Sequence, residues 1–111
     1  MEFNVKNYNE KLAICTISGR LLIDDEVNNV LESLNDTIEN KDLVLDLSQL
    51  EYISSSGLSL FIRLLTRSRI NDHGLVLANL QENVKKLFQI AKLNNIFAIS
   101  DSTEEAIKSL N

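Results

Sequence analysis

Two rhythms of apolar and polar positions run along the chain. Phe3 and Val5 alternate with Glu2, Asn4 and Lys6, the period-two pattern of an edge strand with one wet face. A polar turn follows at Asn7-Tyr8-Asn9-Glu10-Lys11. Leu12-Ala13-Ile14-Cys15-Thr16-Ile17 then reads as a more deeply buried strand, ended by Ser18-Gly19, so the first two strands form a hairpin. Asp24-Asp25-Glu26 supplies an N-cap and negative charge for a helix's first turn. Val27, Val30, Leu31, Leu34 and Ile38 continue as one apolar stripe at helical spacing. Asn40-Lys41-Asp42 ends that helix, and Leu43-Val44-Leu45-Asp46-Leu47 suits a strand buried on both faces.

The second half alternates in the same way. Ile53-Ser54-Ser55-Ser56-Gly57 is a polar knuckle, after which Leu58, Phe61, Ile62 and Leu65 define one face of a helix. Asn71-Asp72-His73-Gly74 reads as a turn with glycine at the helix C-terminus, and Leu75-Val76-Leu77-Ala78 as a short buried strand. Asn79 or Gln81 starts a helix with Val84, Leu87, Phe88 and Ala91 on its apolar side. A loop at Asn94-Asn95 leads to Ile96-Phe97-Ala98-Ile99, a candidate last strand. Ser102-Thr103-Glu104-Glu105 is a capping box for a terminal helix with Ala106, Ile107 and Leu110 facing in. The order β-β-α-β-α-β-α-(β)-α predicts a single α/β domain over residues 1–111. Its sheet should be mixed but mainly parallel, with four to five strands, the N-terminal hairpin at one edge and about four helices.

Composition narrows the function. At 111 residues the chain has room for one core, and 44% hydrophobic with 24% charged residues is ordinary globular usage. A formal net charge of -5 argues against nonspecific nucleic-acid binding, which needs a basic surface, and against direct binding to anionic membranes. Met1 to Lys6 lacks the basic-then-apolar pattern of a signal peptide, and no run of apolar residues is long enough to span a bilayer. The single cysteine, Cys15, reads as a small buried hydrophobe and suits a reducing compartment, so the expected location is the cytoplasm.

Catalytic signatures are missing from the sequence. A Ser-His-Asp triad would have to use His73, the single histidine, which falls in a polar turn and reads as a loop residue. The pattern has no Cys/His cluster for a metal and no glycine-rich phosphate loop, so neither an enzyme nor a cofactor is expected. The knuckle is the candidate site. A helix start offers unpaired N–H groups and the positive end of the helix dipole, where a serine can cap and a phosphate would sit in a favourable field. Farther along that helix Arg63, Arg67 and Arg69 form a basic outer edge. Arg63 and Arg67, one turn apart, could grip an acidic partner.

The segment VLDLSQLEYISSSGLSLFIRL resembles the central part of STAS domains, in particular bacterial anti-sigma factor antagonists. The family pattern is an apolar strand ending in an acidic or amide residue, a short loop, then Asp-Ser-Ser-Gly-Leu opening a helix. ENVKKLFQIAKLNNIFAISDSTEEAI resembles the family's C-terminal half, so the likeness covers nearly the whole chain. The resemblance implies the STAS fold, and it implies that Ser55 is the serine phosphorylated by a partner kinase, followed by Ser56, Gly57 and Leu58. Two positions depart from the pattern: the family's Asp before that serine is Ser54, and an upstream Asp is Leu22, with Asp24 and Asp25 close by to substitute.

What the resemblance implies for function is a phosphorylation-switched binding module. Unphosphorylated, it would sequester an anti-sigma factor with serine kinase activity through Ser54, Ser55, Ser56, Gly57, Ser59, Arg63, Arg67 and Asp24. Phosphorylation of Ser55 would release the kinase, and a serine phosphatase would reset the switch. ATP and Mg²⁺ would belong to the kinase, not to this chain. The alternative is a STAS scaffold subunit of a lipid-transport or stress-signalling complex, without a phosphorylation cycle.

Overall fold

The computed structural model describes the backbone of residues 2–21 and 24–110, and their side chains except at Leu21, Asp24 and Ser56. The expected hairpin is present: β1 (Glu2–Asn7) pairs antiparallel with β2 (Leu12–Leu21). The chain continues through α1 (Asp24–Asn40), β3 (Asp42–Asp46), β4 (Leu50–Ile53), α2 (Ser55–Ile70) and β5 (Leu75–Ala78). It ends with α3 (Glu82–Ile90), a 3-10 turn at Leu93–Asn95, β6 (Ala98–Ser100) and α4 (Thr103–Leu110). The sheet runs β1-β2-β3-β5-β6, parallel throughout except for the hairpin. This is the mixed, mainly parallel α/β architecture expected from the pattern.

Strand periodicity sorts the core into two layers. Ala13, Cys15, Ile17, Leu43, Leu45, Leu75 and Leu77 face a cluster shared with α1, α2 and α3. The intervening Leu12, Val44 and Val76 face the opposite way, onto Ala106, Ile107 and Leu110 of α4. All five residues of the α1 stripe are buried. Phe61 of α2, Phe88 of α3 and Phe97 form an aromatic chain under the first face, with successive ring centroids 5.7 and 5.6 Å apart in tilted and edge-on arrangements.

Four local expectations are corrected. The sheet has six strands, not four to five, because β2 does not end at Ser18-Gly19. Gly19 takes φ 84, the register shifts between Gly19 and Arg20, and the strand continues to Leu21, pairing parallel with β4. The buried stripe of α2 is Leu60, Phe61, Leu64, Leu65 and Ser68, while Ile62 is 44% exposed and Leu58 half-buried. Apolar residues crowd this helix closely enough to allow either phase, and packing on α1 and Phe88 selects one. In the turn after α2 the left-handed residue is Asp72 (φ 59), not Gly74. Gly74 is needed for closeness instead, since a Cβ there would run into Leu110 Cδ2 of α4. Finally, α3 has Gln81, one of the two expected starts, as its N-cap, but Ala91 is exposed, and the last strand is Ala98–Ser100, leaving Ile96 exposed. The forward half of the capping box is present, with the Glu105 N–H donating to Ser102 Oγ at 3.1 Å.

Candidate functional site

The knuckle lies at the C-terminal end of β4, where the chain enters α2. Ser54 is extended (φ -89, ψ -178), and its Oγ accepts the Gly57 N–H at 3.3 Å, so Ser54 is the N-cap. Ser55 is therefore the first helical residue, and it is exposed. Gly57 is buried and Ser59 half-buried. The side chain of Ser56 lies outside the described residues. No acidic residue stands in the first turn of α2, so the positive end of its dipole is not offset from within the helix.

Hydrogen bonds fix the approach to the knuckle. Asp46 Oδ1 accepts the Ser48 N–H and Asn79 Nδ2, each at 3.1 Å, and Asn79 Nδ2 also donates to Thr103 Oγ1 at 3.0 Å. Asn79 holds φ 61, a conformation asparagine tolerates better than most residues. Gln81 Nε2 donates to the Ser48 carbonyl at 2.9 Å, and Asn83 Nδ2 to the Glu51 carbonyl at 2.6 Å. The start of α3 thus anchors β4 from outside the sheet, and the Gly19 N–H anchors it from β2 by donating to the Gln49 carbonyl at 2.9 Å. None of these anchors was anticipated in the sequence, where polar residues between apolar runs read simply as loop.

The predicted basic edge is divided by the structure. Arg63 is exposed and makes no hydrogen bond or ion pair among the described residues. Arg67 is half-buried and donates from Nη1 to Asn35 Oδ1 of α1 at 3.3 Å, so it ties two helices together. Arg69 donates from Nη2 to the Ile96 carbonyl at 3.3 Å. Asp24 opens α1 with its side chain outside the described set, and Leu22 lies outside the described residues altogether. A further cation stands near the knuckle: the Arg20 guanidinium lies over the Tyr52 ring, 5.1 Å from its centroid.

Other polar groups have structural roles. His73 is more than a loop residue: its Nδ1 lies 3.3 Å from Asp42 Oδ1 and its Nε2 3.2 Å from the Glu39 carbonyl. Asp42 Oδ1 also accepts the Gly74 N–H at 2.8 Å, so the turn after α2 is pinned to the start of β3. Cys15 is buried, and desolvation pushes its thiol up to about 12. An open cavity of about 330 Å³, lined by Asn9, Lys11, Leu12, Asp42 and Leu110, lies at the start of β3, away from the knuckle. Among the described residues no group of three or more His, Cys, Asp or Glu could hold a metal ion, and no helix is long and apolar enough to cross a membrane.

The sequence profile of the STAS domain matches residues 5–106. This chain belongs to the STAS domain family. BtrV of Bordetella bronchiseptica, a protein named as an anti-sigma factor antagonist, is 38% identical over 64 residues, which cover 58% of this chain and 55% of BtrV. The anti-sigma-B factor antagonist of Staphylococcus aureus is 28% identical over 64 residues, covering 58% of this STAS domain and 59% of that protein. The chain thus spans a little over half the length of the curated relatives it matches. Among solved structures, the unphosphorylated form of the anti-sigma factor antagonist SpoIIAA superimposes with TM-score 0.82 at 19% identity, covering 97% of this chain and 95% of that one. Phosphorylated SpoIIAA of Bacillus superimposes with TM-score 0.76 at 18% identity, covering 99% and 100%. The shared fold includes the hairpin, the mixed sheet and the four helices.

Proposed function

We propose that this STAS domain is an anti-sigma factor antagonist switched by phosphorylation of Ser55. Unmodified, it binds an anti-sigma factor with serine kinase activity over the knuckle and the outer face of α2. Ser54, Ser55, Ser56, Gly57 and Ser59 form the centre of that surface, with Arg63, Arg67 and Asp24 around it. The kinase, using its own ATP and Mg²⁺, transfers phosphate to the Ser55 hydroxyl. The added charge of about -1.5 to -2 at pH 7 then replaces a dockable surface with a hydrated dianion, and the partner leaves. A serine phosphatase restores the binding form.

The observation that carries this reading is the division of labour at the helix start: Ser54 makes the cap, and Ser55 is exposed beside it. A phosphate on Ser55 would leave the cap bond in place and would lie in the favourable field of the helix terminus. Relatives named as anti-sigma factor antagonists support the same reading. One observation favours the scaffold alternative, a subunit of a lipid-transport or stress-signalling complex: Ser54 brings no carboxylate to the position before the acceptor serine.

Incubation with native-cell lysate and ATP, followed by fragmentation of the tryptic peptide from Asp42 to Arg63, separates the two. Phosphate at Ser55 that is absent from Ser55→Ala, with a soluble kinase captured by the unmodified chain and lost with Ser55→Glu, supports the switch. An unmodified peptide in a lysate with active kinases, and co-purification with a transporter ATPase, supports the scaffold.

A further inference from the structure

The end of β2 pairs with β4, and β4 leads through Ser54 into α2 at Ser55. From Ser18 to Val27 and from Ser48 to Ile62, Arg20 is the only basic residue, amid Asp24, Asp25, Glu26 and Glu51. Parallel pairing sets Arg20 opposite Tyr52 and Leu21 opposite Ile53, and Ser54 and Ser55 follow directly. Arg20 and Tyr52 are both exposed, and the guanidinium rests on the ring face with 5.1 Å between its carbon and the ring centroid. Ser55 is three residues beyond Tyr52. Because β4 ends at Ile53 and the chain turns into α2 at Ser55, the two backbones are no farther apart than about 10 Å, the span of three residues at a strand's rise. That span is within the combined length of an extended arginine side chain and a phosphoserine.

We propose that Arg20 is the phosphate-receiving residue of this site: it rests on Tyr52 while Ser55 is unmodified and pairs with the phosphate once Ser55 carries one. The inference depends on Ser55 being the acceptor. A guanidinium over an exposed ring is held weakly, because water competes for the cation. A phosphate dianion offers charge and oxygens spaced for two parallel N–H bonds, which no neutral ring can match. Moving Arg20 changes the surface twice, since it partly neutralises the phosphate and uncovers the Tyr52 ring. Phosphorylation would then be read by a partner as a remodelled patch running from Ser55 to Tyr52, rather than as one added charge.

The test uses the full chain with phosphoserine installed at position 55 by genetic encoding, so no native kinase is needed. The second ionisation of the phosphate is followed by ³¹P NMR. With Arg20 present it should fall below the value in Arg20→Gln by about half a unit or more, because a nearby cation favours the dianion. Arg20→Lys should retain part of the shift, and Arg63→Gln, eight residues down α2 and about 12 Å along its axis, none of it. The ring-current shift of the Arg20 side-chain protons should disappear on phosphorylation. Equal titrations for the parent and Arg20→Gln, or a ring-current shift that persists, would overturn the proposal. Because the phosphate is installed synthetically, this outcome is distinct from a failure of cells to phosphorylate Ser55, which bears on the switch alone.

Discussion

Ser54 Oγ accepts the Gly57 N–H at 3.3 Å, and this bond separates the residue that starts α2 from the exposed Ser55 that follows it. Asp and Ser are nearly equal N-caps. Replacing the acidic residue of the family pattern by Ser54 therefore removes a charge from the knuckle but keeps the bond that holds the helix start.

The two serines should respond differently to truncation. Ser54→Ala is expected to lower unfolding free energy by about 1 kcal/mol, within the usual range of about 0.5–2 for a lost cap, and Ser54→Asp to preserve it. Ser55→Ala should stay within about 0.5 kcal/mol of the parent, as exposed substitutions do. Urea denaturation of the three variants measures this. Equal losses at the two positions would contradict the assignment of the cap to Ser54.

Ser68 is fully buried on the inner stripe of α2, and among the described residues its Oγ has no hydrogen-bond partner. An unpaired buried hydroxyl carries its desolvation cost without compensation. Ser68→Ala removes that cost and adds a better helix former, so stability should rise by up to about 1 kcal/mol. A urea midpoint shifted downwards in Ser68→Ala would mean that the hydroxyl finds a partner in solution.

Much of this fold is legible in the chain because its apolar periods are unambiguous. The α1 stripe and the strands at Leu43 and Leu75 have one residue pattern and one fitting period. The α2 face was ambiguous because Leu58, Leu60, Phe61, Ile62, Leu64 and Leu65 satisfy two phases, and only contact with α1 and Phe88 distinguishes them. β4 leaves no clear pattern in the sequence because its four residues include exposed Glu51 and Tyr52, and because its partner segment begins at the Gly19 bend. At the site, the serine run marked the helix start, but which serine caps is decided by backbone angles. The Arg20–Tyr52 contact depends on a strand pairing that no local pattern announces.

Gly74 is tight for a reason outside its own turn. A Cβ at Gly74 would collide with the end of the Leu110 side chain, which is flexible and half-buried near the end of α4. Gly74→Ala should therefore cost roughly 1 kcal/mol as Leu110 changes rotamer, the lower end of the overpacking range. In a Leu110→Ala background the same substitution should cost almost nothing, and a double-mutant cycle reads the difference as coupling. Strict additivity would show that the glycine is required for something other than this contact.

The buried thiol of Cys15 should give stability an alkaline limit. Its folded value is raised from 9.0 to about 12 by desolvation, so between these values the unfolded chain loses a proton that the folded chain keeps. Fewer protons bound in the unfolded state means that stability falls as pH rises. The contribution is intact below about pH 9 and declines above it, by at most about 1.4 kcal/mol per pH unit. Urea midpoints between pH 8 and 10.5 should fall more steeply for the parent than for Cys15→Ala, as these experimental conditions bracket the onset. A thiol reagent should also react with Cys15 only as the protein unfolds, because the thiolate is the nucleophile.

Asn83 donates to the Glu51 carbonyl at 2.6 Å from the start of α3, two residues before the chain reaches Ile53 and the knuckle. The bond is exposed, so Asn83→Ala should lower global stability by no more than about 1 kcal/mol. Its effect should instead be local. β4 pairs with β2 alone, over three positions, and loses one of its few outside anchors when the amide is removed. Amide exchange at Tyr52 and Ile53 should accelerate while the protected amides of β3 and β5, each paired on both sides, exchange as before. If a partner docks on the knuckle, Asn83→Ala should weaken that binding without touching it, because the variant must first order β4. Uniform acceleration across all strands would instead make Asn83 a contributor to global stability, and unchanged exchange in β4 would show that the pairing with β2 holds the knuckle unaided.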